Sequence, residues 1–143
     1  MRILLDNIGL IPMSGEKAYM EKAYLLIEGQ YIKEVGEGSA PAGDYDQVID
    51  GHDRVVLPGF INTHTHAAMT LLRGYADDMP LMEWLENKIW PLEAKLTADD
   101  VYWGTMLAIS EMIRSGTVCF ADMYFFMDAA AQAAEKSGIR AVL

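Results

Sequence analysis

The chain has 143 residues, with 11 Lys or Arg against 21 Asp or Glu and a formal net charge of −10. Such an acidic surface repels polyanions, so nucleic acid is not an expected partner. With 52% hydrophobic and 22% charged residues, there is enough apolar material for a packed interior and too little charge for a disordered chain.

The single cysteine, Cys119, cannot form an intramolecular disulfide, so no oxidising compartment is required. The opening Met1–Asn7 is broken by charge and is not the apolar heart of a secretory signal. A spanning helix needs about 20 mostly apolar residues, and the most apolar stretches are interrupted by Glu83, Glu86, Lys88, Glu111 and Arg114. No membrane segment is expected, and the expected location is cytoplasmic.

Residues 1–57 read as short strands and turns. Runs at 3–5, 24–27, 31–35, 48–49 and 55–57 are β-branched, aromatic or aliphatic, separated by Gly, Pro, Asp and Asn. Gly29-Gln30 reads as a tight hairpin, and residues 36–43 (GEGSAPAG) as an exposed loop. Those glycines lack the strand-to-helix setting of a phosphate-binding loop.

From Pro58 onward the pattern becomes strands alternating with helices. A strand is expected over 60–66, and a short amphipathic helix over 81–89, stopped by Pro91. A longer helix follows Thr97, which can cap it with Asp100 three residues on. Tyr102, Met106, Ile109 and Ile113 share one of its faces, and Ser115-Gly116 ends it. A strand over 118–124, an alanine-rich helix over 128–136 closed by Gly138, and a strand from Ile139 complete a β-α-β-α-β order. That order implies parallel strands with right-handed crossovers.

The chemistry is concentrated in Pro58-Gly59-Phe60-Ile61-Asn62-Thr63-His64-Thr65-His66. Residues i and i+2 of a strand point to the same face, so His64 and His66 project side by side and can reach one cation. Paired imidazoles suit zinc, and iron, manganese and nickel also accept them. Exposed or hydrogen-bonded histidines at a strand end are the plainer alternative. His52, in the turn Gly51-His52-Asp53, reads as a surface residue.

The run PGFINTHTHAAMTLLRG resembles the amidohydrolase superfamily, and its continuation is similar to the 5′-methylthioadenosine/S-adenosylhomocysteine deaminases. The likeness extends over the whole chain. It takes in Asp50-Gly51, Val56 to Gly59, Arg73-Gly74, Asp77-Asp78, residues 83–85 (EWL), Pro91-Leu92-Glu93 and residues 120–124 (FADMY). The resemblance implies an α/β fold: the N-terminal part of a (β/α)8 TIM-type barrel over 58–143, preceded over 1–57 by strands of a composite β-sandwich. Such a barrel takes about 250 residues and eight strands, so the chain is expected to be an N-terminal fragment.

The same resemblance implies that His64 and His66 are zinc ligands and that Glu93, 93 − 66 = 27 residues past the second histidine, binds the ribose hydroxyls of a small-molecule nucleoside. From spacing alone Glu93 would be a solvated charge. The implied reaction is hydrolytic deamination of an adenine nucleoside thioether, with metal-activated water and loss of ammonia. Guanine or cytosine deamination, or triazine dechlorination, are the related alternatives, and a non-catalytic metal-binding fragment is a third. The family places its remaining ligands and its proton-transfer groups on later strands, so no catalytic residue is expected within 1–143. The isolated chain is expected to be inactive, and its open sheet edges favour self-association, in keeping with a homo-oligomer.

Three further features stay open. Asp122, at a strand end, reads either as an acceptor for a ligand histidine or as a capping residue. Trp84 and Trp90 read as core, with the wall of a purine or thioether pocket as the alternative. Cys119 resembles a small buried apolar residue, and Met69, Met79, Met82 and Met123 suit an adaptable apolar pocket.

Overall fold

In the computed structural model, which describes residues 1–15 and 17–143, the chain divides into two units, Met1–Pro58 and Gly59–Leu143. The first contains β1 (Arg2–Leu10), β2 (Met20–Glu28), β3 (Tyr31–Glu37), β4 (Gln47–Asp50) and β5 (Val55–Val56). Strand β1 pairs antiparallel with β2, and β2 with β3. Along its other edge, β1 takes β4 and then β5 as parallel partners. The result is one mixed sheet of order β3-β2-β1-β4 with β5 beside β4's neighbour β1.

Local chemistry accounts for the turns and irregularities of this sheet. Glu28 pairs with Tyr31, leaving Gly29-Gln30 as the two-residue hairpin, and Gly29 takes φ +63°, where glycine has no steric penalty. On β1 the register slips between Leu5 and Ile8, and the extra residue there includes Asn7 at φ +56°, a conformation asparagine tolerates. Ile8, Leu10, Ala23 and Leu25 form the buried cluster.

One expected loop is partly strand. Gly36 and Glu37 belong to β3, because Gly36 pairs with Tyr24 and the Tyr24 ring lies where a Cβ at position 36 would stand. The glycine serves close packing rather than a turn.

The second unit contains β6 (Phe60–Thr65), β7 (Thr117–Asp122) and β8 (Arg140–Val142), all parallel, in the order β6-β7-β8. Between β6 and β7 run a 3₁₀ segment (Ala67–Leu72), α1 (Leu81–Trp84), α2 (Trp90–Glu93) and α3 (Ala98–Arg114); α4 (Met127–Ser137) joins β7 to β8. Phe120 of β7 is fully buried against Ala67, Ala108, Ile109, Ala133 and Ala134. The alanines of α4 at 129, 130, 133 and 134 are all buried, a small-residue stripe on the packed face. The carbonyl oxygen of Ala68 lies 2.7 Å from where a Cβ would stand on Gly104, so only glycine lets α3 lie this close to the 3₁₀ segment.

Helix α3 begins as expected. Thr97 accepts from the Asp100 amide, and Asp100 reaches back to the Thr97 amide at 2.8 Å. Gly138 closes α4 at φ +78°, a left-handed C-terminal residue of the usual kind.

Two expectations are corrected. Ile113 is 53% exposed: the buried face of α3 carries Val101, Gly104, Thr105, Ala108 and Ile109, so it is turned from the stripe of Tyr102, Met106, Ile109 and Ile113, of which only Ile109 is fully buried. Nor does Pro91 stop the preceding helix. A π-turn over Leu85–Ile89 carries the chain into α2, with the Trp90 amide bonding back to the Leu85 carbonyl. The wider turn makes room for a ring that would otherwise collide with the carbonyl four residues earlier.

Candidate functional site

At the C-terminal end of β6 the pairing with β7 is irregular. Asn62 pairs with Phe120 and Thr65 with Asp122, so β6 has two residues, Thr63 and His64, opposite the single Ala121. This bulge shifts the alternation by one, and Thr65 shares the face of buried Asp122 while its two histidine neighbours point to the other face. The Asn62 side-chain oxygen accepts from the His64 amide at 3.2 Å.

The two imidazoles come together. Their ring centroids are 5.1 Å apart with planes at 76°. His66 Nδ1 lies 2.7 Å from the Met123 carbonyl oxygen. A carbonyl only accepts, so Nδ1 carries the hydrogen and Nε2 keeps its lone pair. That is the tautomer of a metal-ligating histidine held by a backbone carbonyl. A divalent ion therefore fits this pair. Among the described residues no group of three or more His, Cys, Asp or Glu converges as a metal site, and two imidazoles are fewer than the three or four protein ligands that zinc takes.

Asp122 resolves as a fastening for the chain after His66. Its Oδ1 accepts from the Ala67 amide at 3.1 Å, while Oδ2 is buried without a partner among the described residues. Burial pushes its carboxyl above the ordinary value, against the pull of the amides of Ala67 and Met123. His52 is exposed and lies 3.3 Å from the Asp53 carboxylate in its turn.

Glu93, at the end of α2, is half-buried and accepts from the Tyr124 hydroxyl at 2.7 Å. Tyr124 is the functional candidate the sequence pattern does not single out, since it lies two residues past the end of β7 and 31 residues from its partner. Burial, followed by the bond to Glu93, holds its phenol far above the ordinary value, so it is a neutral donor near neutral pH.

A cavity of about 440 Å³ opens over these groups, lined by His66, Met69, Trp84, Trp90, Glu93 and Tyr124 among others. The expectation that both tryptophans are core is corrected here. Trp90 is 47% exposed on the cavity wall, and Trp84 uses its indole N–H to bond the Ala76 carbonyl at 2.9 Å. The π-turn accounts for the change, since it rotates Trp90 away from the face that the 3.6-residue period assigns it. Cys119 is half-buried, less enclosed than its strand setting suggests.

The end of β6 thus brings two imidazoles beside the cavity that Glu93 lines, and comparison with known proteins gives the class of the chain. Residues 55–143 match the amidohydrolase family, and the chain belongs to it. It is 71% identical over 143 residues to a 5-methylthioadenosine/S-adenosylhomocysteine deaminase of Syntrophomonas wolfei, covering 100% of this chain and 33% of that protein. It is 53% identical over 141 residues to a 5′-deoxyadenosine deaminase of Methanosarcina barkeri, covering 99% of this chain and 32% of that one. The crystal structure of an adenosine deaminase from Xanthomonas campestris with bound zinc superimposes with a TM-score of 0.88 at 37% identity, over 98% of this chain and 33% of that one. The chain thus spans about a third of the length of the curated relatives it matches. Among the described residues no helix is long and apolar enough to cross a membrane.

Proposed function

We propose that a protein of the relatives' full length carrying this chain is a zinc-dependent hydrolase acting on an adenine nucleoside thioether, 5′-methylthioadenosine or S-adenosylhomocysteine. Water replaces the C6 amino group, giving the inosine counterpart and ammonia. The observation that carries the reading is the His64–His66 pair, with the His66 ring held by a carbonyl so that Nε2 keeps its lone pair. The 71% identity to a deaminase of such nucleosides supports the substrate class.

His64 and His66 are the residues that hold the metal. Bound there, zinc supplies Lewis acidity that brings the pKa of water from 15.7 toward about 7. Glu93 accepts hydrogen bonds from the two vicinal sugar hydroxyls, and the indoles of Trp84 and Trp90 with Met69 keep water from the apolar part of the substrate. Gly59–Leu143 is read as the opening of a (β/α)8 barrel with the ends of β6 and β7 at its mouth, and residues 1–57 as strands of a composite β-sandwich. The acidic net charge favours a small-molecule partner over nucleic acid, and the cytoplasm is the proposed location.

The test is metal content and loss of the adenosine chromophore, measured on the full-length protein. Wild type carries zinc and yields the inosine product, while His66→Ala loses the metal and falls to background turnover. Residues 1–143 alone, with two ligands, give no turnover. Full-length wild type with neither metal nor inosine product overturns the reading.

A further inference from the structure

We propose that Tyr124 is a positioning residue for nucleoside binding, its hydroxyl clamping Glu93 in the orientation that accepts the sugar hydroxyls. The proposal rests on the nucleoside reading above and adds to it a residue that acts through Glu93.

Two successive residues reach both halves of the site. The Met123 carbonyl holds the His66 ring at 2.7 Å, and the Tyr124 hydroxyl holds Glu93 Oε1 at 2.7 Å. The Tyr124 ring stands 6.1 Å from that of His66, centroid to centroid, and its amide is anchored on Met127 Sδ at 3.1 Å. The segment that follows β7 therefore sets the metal-side imidazole and the sugar-side carboxylate at a fixed separation.

The chemistry suits a clamp. A carboxylate has about four acceptor positions, and the single phenol donor occupies one of them on Oε1, leaving Oε2 and the rest for two vicinal hydroxyls. Because the phenol stays neutral, it donates to the ionised carboxylate without competing for its charge. Fixing Glu93 before the substrate arrives removes the rotamer entropy that a free glutamate would lose on binding. A purely structural staple between α2 and the segment after β7 would instead support all ligands of the cavity alike.

The distinguishing measurement uses full-length zinc-loaded protein, wild type and Tyr124→Phe, titrated with inosine and with 2′,3′-dideoxyinosine, which lacks both hydroxyls. Wild type binds inosine tighter by roughly tenfold or more, the scale of hydrogen bonds to a charged group. In Tyr124→Phe that preference falls to about twofold or less, with zinc content unchanged. A preference that survives the substitution overturns the clamp. Deamination of 5′-methylthioadenosine by the same preparations reports on the activity separately. Selective inosine binding without turnover keeps the role of Tyr124 and removes the deaminase reading; wild type that binds neither nucleoside removes both.

Discussion

The two units use similar strands to opposite ends. In Met1–Pro58 no helix joins the strands among the described residues, and much of the sheet stays open: Tyr31, Ile32, Val48 and Val55 are each at least half exposed. In Gly59–Leu143 the strands are parallel, and each connection must cross back over the sheet. Those crossovers lay α3 and α4 on one face and bury Phe120 completely. The same connections leave the C-terminal strand ends uncovered, and the paired histidines stand there. The site is thus a consequence of connectivity: parallel strands joined by helices bring all their C-terminal ends to one side.

The sharpest way to break this contrast is to truncate one large side chain in each unit. Phe120→Ala is expected to destabilise by about 3–5 kcal/mol, because it empties the middle of a helix-covered core. Ile32→Ala, 64% exposed on β3, is expected to change stability by about 0.5 kcal/mol or less. Urea denaturation with hydrogen exchange of α3 and α4 amides measures both, and equal effects would erase the distinction.

A smaller change sharpens the role of close helix packing. Gly104→Ala brings a Cβ to within 2.7 Å of the Ala68 carbonyl oxygen. Overpacking of that kind costs about 1–3 kcal/mol, against a gain of about 1 kcal/mol in helix propensity. Net destabilisation is expected, with the 3₁₀ segment exchanging its amides faster. A stabilised variant would show that α3 has room to retreat.

The smallest expected effect is at the entrance of α3. Thr97→Ala removes the cap and is expected to cost about 1 kcal/mol near neutral pH. The Thr97 hydroxyl and amide hold the Asp100 carboxyl below its ordinary value. The stability from this bond is therefore present above the unfolded-state pKa and is lost as pH falls through the lower folded-state value. The gap between wild type and variant should narrow as acid denaturation is approached, which thermal melts across the acidic range will reveal.

Legibility followed the range of the interaction. The Gly29-Gln30 hairpin, the Thr97 cap, the Gly138 terminus and the parallel β6-β7-β8 order are readable because each depends on residues within a few positions or on an alternation along the chain. Pro91 misled, since whether a proline ends a helix depends on whether a π-turn can open before it. Trp90 misled for the same reason, because that turn resets which of the residues after it face inward. Gly36 looked like a loop residue until the Tyr24 ring lay over it.

By itself the sequence determined the side-by-side placement of His64 and His66, the carboxylate at Glu93 and the family to which both belong, since a period of two and a run of motif residues are properties of neighbours in the chain. Only the tertiary structure decided that Met123 sets the His66 tautomer, that Asp122 fastens Ala67 and that Tyr124 meets Glu93. These pairs lie 57, 55 and 31 residues apart. No local rule connects them; they meet because the crossover through α3 returns the chain to β6 in parallel.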